Sequence, residues 1–204
     1  MGAVPAILLL GPTASGKTPL GRLMERGGVA GRRCRHFDFG GEMRRIVAGD
    51  EDAGLTAAEI AFLDRVLAAG ALLDDEHFPV AEQVLRAFLV REGVGGEDVV
   101  ALNGLPRHVG QARDIEPIAD VRAVVHLHAA PDVIAQRLRE DPGGDRAGRA
   151  DDDPAAAARR LERFSRHAGG LLRHYRRRGV PVHAVEVGPR TTAGEVFDAL
   201  RIRI

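Results

Sequence analysis

Lysine is almost absent from this 204-residue chain. Lys17 is the one lysine among 29 basic residues, and the other 28 are arginines. Arginine serves wherever a generic cation is wanted. A compact ammonium on a flexible stem, which a planar guanidinium does not imitate, is kept for one position. Cysteine is equally scarce. Cys34 stands alone, so no intrachain disulfide can form, and a cytoplasmic setting is the default expectation. Charge of one sign is missing too: 29 basic residues cancel 29 acidic ones. That balance gives no reason to expect a nucleic-acid polymer or a membrane surface as partner. No apolar run is long enough to span a bilayer. The opening MGAVPAILLLGPT lacks a basic n-region and runs straight into a motif, so no signal peptide is expected. The length suits one compact domain over 1–204 with small insertions, and a monomer is expected.

The remaining pattern is an alternation. PAILLLG (5–11), CRHF (34–37), DVVALN (98–103), AVVHLHA (123–129) and VPVHAVEV (180–187) read as strands. Helices are expected over 16–27, from about Arg107, and over 131–140. A long helix or helix pair is expected over 154–178. Thr56-x-x-Glu59 and Thr192-x-x-Glu195 are capping boxes that open helices, the first ending at Gly70. Another helix is expected from about Glu76 to Glu92. Strands alternating with helices predict an α/β fold, a five-stranded parallel sheet with helices on both faces in three layers. Two stretches interrupt the alternation, a helical insertion at 40–90 and a polar Gly- and Asp-rich loop at 141–154. Ligands of such sheets bind at the carboxyl ends of the strands.

GPTASGKT (11–18) satisfies G-x-x-x-x-G-K-[ST] between a strand and a helix. Backbone N–H groups of such a loop turn inward around phosphates, and the helix N-terminus adds its positive end. Gly11 and Gly16 allow the conformation, with Ala14 and Ser15 inside the loop. Lys17 would reach the β/γ-phosphates, and Thr18 would give its hydroxyl to Mg²⁺. ATP and Mg²⁺ are the expected cofactors. His36, His108, His126 and His128 lie on different strands and loops without tight ligand spacing, so no structural metal is expected.

HFDFGGEMRR (36–45), GALLDDE (70–76), LNGLPRHVGQA (102–112) and GRADDDPAAAARRL (148–161) follow the phosphate loop in that order. Together they resemble the adenylate kinase family of nucleoside monophosphate kinases over nearly the whole chain. The resemblance implies a P-loop NTPase core, a helical insertion at 40–90 that binds the monophosphate, and a lid at 138–153. It implies that Arg44 and Arg107 grip the acceptor phosphate and that Leu73 meets the acceptor base through its backbone. Gly104 lies in the counterpart of the family's D-G-F-P-R signature. Gln111 matches a glutamine that reads an adenine edge, and Arg137 an arginine near the donor base. Arg149 and Arg160 match arginines that span the transferring phosphoryl group. Arg146 is a further lid candidate, and Asp151 and Asp152 match paired lid aspartates. Arg176, Arg177 and Arg178 read as an exposed helix end. Such a convergence suits phosphoryl transfer, which needs positioning and charge neutralisation more than covalent chemistry.

The chain departs from that family in three places. Its lid is short, as in UMP/CMP kinases. Where the family reads S-T-G-D it has Asp38-Phe39-Gly40-Gly41. Phe39 could stack on a base or fill space left by a smaller one; Asp38 could cap the following helix or contact the acceptor. Asn103 replaces the aspartate of D-G-F-P-R, which in the family holds the metal largely through water; the amide keeps a carbonyl oxygen and loses the charge. The leading expectation is an ATP-dependent kinase of a nucleoside monophosphate, AMP-like by Gln111. The alternatives are a kinase of a nucleoside or other small alcohol, with Asp38 as base, and a nucleotide-binding protein with little turnover.

Overall fold

The computed structural model describes residues 2–71, 73, 75–144 and 154–200. Five strands form one sheet: β1 (Val4–Leu10), β2 (Cys34–Asp38), β3 (Val99–Asn103), β4 (Ala119–His128) and β5 (Val182–Glu186). Every pairing is parallel, in the order β2-β3-β1-β4-β5. The chain passes outward from β1 to β2 and then crosses β1 to reach β4. Connections therefore leave β1 and β3 in opposite directions, which opens a crevice at their carboxyl ends.

The central strand shows why helices must cover both faces. All seven residues of β1 are buried. Val4, Ala6, Leu8 and Leu10 enter one apolar cluster, while Ile7 and Leu9 enter the other. Successive side chains of a strand point to opposite faces, so a fully apolar strand needs two coverings. Helix α1 (Lys17–Gly27) and helix α8 (Ala193–Ala199) cover one face through Leu20, Met24 and Val196. The opposite face is covered by α2 (Phe39–Ala48), α3 (Ala57–Ala69), α4 (Phe78–Arg91), α5 (Val109–Asp114) and α7 (Pro154–Arg177). Helix α6 (Pro131–Glu140) follows β4.

Both capping boxes form. Thr56 opens α3 and Thr192 opens α8, each with its glutamate returning to the cap backbone. Gly70 ends α3 in the left-handed region at φ 54°. Boundaries differ from the sequence reading at several elements, and one of the two options read for 154–178, a helix or helix pair, is realised. β4 begins at Ala119, four residues early, because Asp120 and Arg122 are exposed on alternate positions and pair with each other at 3.0 Å. Their polarity hid the strand. The 154–178 segment is one continuous helix. The helix expected from Glu76 starts at Phe78, after a single 3₁₀ turn at Asp75–His77. Of the expected lid at 138–153, residues 138–140 belong to α6, and most of the rest lies outside the described residues.

Cys34 is buried, and burial pushes its thiol up to about 12, so it behaves as a small hydrophobe. No helix among the described residues is long and apolar enough to cross a membrane.

Candidate active site

The phosphate loop runs from β1 into α1 and is built by close approach. A Cβ at Gly11 would lie 2.6 Å from Ser15 Oγ and 2.8 Å from the Leu127 carbonyl oxygen. Gly16 sits at φ 94° and Ala14 at φ 58°. Ser15 is buried and donates to the Pro12 carbonyl at 2.9 Å, which closes the loop on itself. The Lys17 ammonium lies across the loop and donates to the carbonyls of Gly11 (2.7 Å) and Pro12 (2.6 Å).

Beside the loop, β2 and β3 end in register, with Asp38 paired to Asn103. Asn103 is buried, and its Nδ2 donates to Thr18 Oγ1 at 3.0 Å. The Thr18 hydroxyl donates to Asp38 Oδ2 at 3.2 Å, while Asp38 Oδ1 accepts from the Gly41 N–H and caps α2. His36 Nε2 lies 3.5 Å from Asn103 Nδ2. Burial lowers the His36 pKa, which favours a neutral ring that can accept from the amide. Threonine hydroxyl and carboxylate oxygens are the donors that Mg²⁺ takes alongside phosphates. Among the described residues no group of three or more His, Cys, Asp or Glu side chains could hold a metal.

The same cavity receives arginines from three directions. Its lining includes the phosphate loop, Asp38, Arg44 from α2, Gly104 and Arg107 after β3, and Arg160 and Arg163 from α7. Arg107 Nε donates to the Gly104 carbonyl at 2.8 Å. Gly104 holds φ 90° directly beneath that guanidinium. Burial lowers the Arg107 pKa; Asp38 opposes that shift and Arg160 and Arg163 add to it. Arg163 Nη2 donates to the Gly70 carbonyl, linking α7 to the end of α3. The sequence reading missed Arg163. Its signal was the three-residue spacing from Arg160, which puts both on one helix face.

The remaining sequence-derived candidates lie behind this lining. Phe39 is buried 6.0 Å from Phe37, centroid to centroid, and fills core space. Arg137 is 4% exposed; its guanidinium donates to the carbonyls of Ala14, Gly188, Pro189 and Thr191. It braces the phosphate loop against the segment after β5. Gln111 is 1% exposed, accepting from the Arg107 N–H at 2.8 Å and donating to the Leu73 carbonyl at 3.0 Å. His108 Nε2 reaches that same carbonyl at 3.2 Å. Leu73 is thus clamped to the segment that carries Arg107, a tie the sequence reading did not assign to His108. Arg146, Arg149, Asp151 and Asp152 lie outside the described residues. Arg176, Arg177 and Arg178 are exposed.

A parallel sheet in this order, with a glycine-framed phosphate loop leading into α1 at the crevice, is the architecture of the P-loop NTPases. No family model matches the chain. Curated relatives are found nonetheless. An adenylate kinase of Hyphomonas neptunium is 28% identical over 203 residues, covering 95% of this chain and 96% of that one. Adenylate kinases of Stenotrophomonas maltophilia and Xanthomonas campestris are each 29% identical, over 188 and 179 residues. They cover 89% and 85% of this chain, and 91% and 86% of their own lengths. Relatives at this level over most of the chain support membership of the adenylate kinase family.

Proposed function

We propose that the chain is a nucleoside monophosphate kinase that transfers the terminal phosphoryl group of ATP to a monophosphate, with AMP the favoured acceptor. One observation carries the reading: a single cavity is lined both by the phosphate loop and by Arg44, Arg107, Arg160 and Arg163. A donor that brings phosphates and an acceptor that brings another would set anionic oxygens against all of these cations. A neutral acceptor would bring no anion to Arg44 and Arg107. The relatives named adenylate kinase support the same class.

In this reading the loop N–H groups and Lys17 hold the donor phosphates. The ammonium leaves the Gly11 and Pro12 carbonyls for phosphate oxygens. Arg44 and Arg107 hold the acceptor phosphate, with Arg149 proposed to join Arg160 and Arg163 on the transferring group. An acceptor phosphate oxygen attacks the γ-phosphorus, and the β–γ bridging oxygen leaves with its electron pair as ADP. The attacking oxygen carries no proton, so no general base is required. Mg²⁺, when bound with ATP, would supply positive charge to the β- and γ-oxygens. The 40–90 insertion is proposed as the acceptor cover and 138–153 as the lid. AMP is favoured because the relatives carry the name adenylate kinase.

The test is a panel of monophosphates and nucleosides incubated with ATP·Mg²⁺, with ADP and the phosphorylated product resolved by chromatography. Diphosphate from a monophosphate, best from AMP, is the expected result. Turnover only with unphosphorylated acceptors would overturn the reading. Nucleotide binding without transfer across the whole panel would leave a nucleotide-binding protein instead.

A further inference from the structure

We propose that the carboxylate serving the ATP-bound Mg²⁺ in this chain is Asp38, at the end of β2, and that Asn103 at the end of β3 only orients the Thr18 hydroxyl. The inference rests on the reading that the site binds ATP with Mg²⁺.

The argument is one of donors and acceptors around a single oxygen. Thr18 Oγ1 has one proton and two lone pairs. Its proton goes to Asp38 Oδ2 at 3.2 Å. One lone pair receives the Asn103 amide at 3.0 Å. The other remains for a cation. Asn103 therefore presents N–H to Thr18, and its nitrogen cannot be a metal ligand. His36 Nε2 lies 3.5 Å from the same nitrogen. Thr18 and Asp38 together offer a cation one hydroxyl oxygen and one carboxylate, and Mg²⁺ bound mainly by phosphates and water asks for one or two carboxylates.

Capping alone does not account for Asp38. The cap uses Oδ1, at 3.3 Å from the Gly41 nitrogen. The second oxygen faces the phosphate loop, and the residue lines the cavity. Strand register adds a second reason. Asp38 and Asn103 are direct partners across β2 and β3. Two carboxylates side by side at this partly buried position would repel, and one would be held protonated. A chain that carries the charge on β2 does better with an amide on β3. The uncharged residue at 103 is then the complement of Asp38 rather than the loss of a metal site.

The test measures metal affinity directly. A non-hydrolysable ATP analogue is titrated calorimetrically into the protein in Mg²⁺ and in EDTA, and Mn²⁺ bound to the protein–nucleotide complex is read by EPR. Asp38→Asn keeps the cap, since asparagine caps as well as aspartate. It should leave affinity in EDTA within about threefold and weaken Mn²⁺ binding to the complex by about ten- to hundredfold, the usual cost of losing a group that supports a metal. Adding Asn103→Asp to that variant should restore much of the loss. Unchanged metal affinity in Asp38→Asn would overturn the assignment. So would Asn103→Asp alone raising metal affinity tenfold or more, a result that needs no Asp38 variant to fold. Failure of the kinase reading is separate. If transfer is absent but the metal response of Asp38→Asn is as expected, the metal assignment stands and the kinase reading falls. If neither nucleotide nor metal binds the unaltered protein, both fall.

Discussion

Lys17 and Gln111 show how much of a side chain's role depends on what already occupies it. The Lys17 ammonium is held by two carbonyls of its own loop, which fixes the cation across that loop. Lys17→Ala should therefore lower phosphoryl transfer by roughly 10²–10³ while the thermal midpoint moves little. Steady-state kinetics and a melting curve check it together, and intact transfer in the variant would remove the phosphate loop from the mechanism. Gln111 is the opposite case. Both ends of its amide are engaged by backbone, which holds Arg107 and Leu73 in a fixed relation. The resemblance implied a base-reading glutamine, and nothing local could show that one of its partners, Leu73, lies 38 residues away. The carbonyl partners of Arg137 were hidden for the same reason, since they are about 50 and 120 residues away.

Among the elements, those governed by near neighbours were legible. The two capping boxes, the left-handed glycine after α3 and the fully apolar β1 each depend on a few adjacent residues. Strand register was not legible, and it decides that Asp38 stands beside Asn103. The tie between α2 and α4 was equally hidden. Glu42 is buried and receives Arg91 Nη1 at 3.0 Å and Nη2 at 3.1 Å, with Arg45 on the same carboxylate. Arg91 also reaches Glu51 at 2.7 Å. Glu42→Ala should destabilise the fold by on the order of 2–3 kcal/mol, below the cost of a fully buried pair because Arg91 keeps Glu51. Urea unfolding gives the number, and a change under half a kcal/mol would show that the tie between the two helices carries no weight.

For the molecule as a whole, charge organisation separates the two ends of the sheet. The carboxyl ends gather arginines around a cavity; the opposite end is closed by an ion pair. Arg33, before β2, holds Asp98, before β3, at 2.8 and 2.6 Å, and the Gly95 N–H adds a third bond. The guanidinium holds the Asp98 carboxyl down at about 2. Its unfolded value is about 3.9, so the pair's contribution is complete above roughly pH 4 and is lost as pH falls from there toward 2. Urea midpoints compared at pH 6 and pH 3 should fall less for Asp98→Asn than for the unaltered chain. Equal losses would assign the acid sensitivity to other carboxylates.

The solitary lysine has a practical corollary for chemistry aimed at amines. Across 204 residues the protein offers acylating and reductive-alkylating reagents a single side-chain primary amine, and that amine belongs to a residue lining the cavity beside the phosphate loop. Modification of the ε-amino group would thus read occupancy of the cavity itself, with mass spectrometry counting protected and unprotected molecules one by one. Coupling to an amine-reactive support through a side chain would here fall on a residue of the cavity lining.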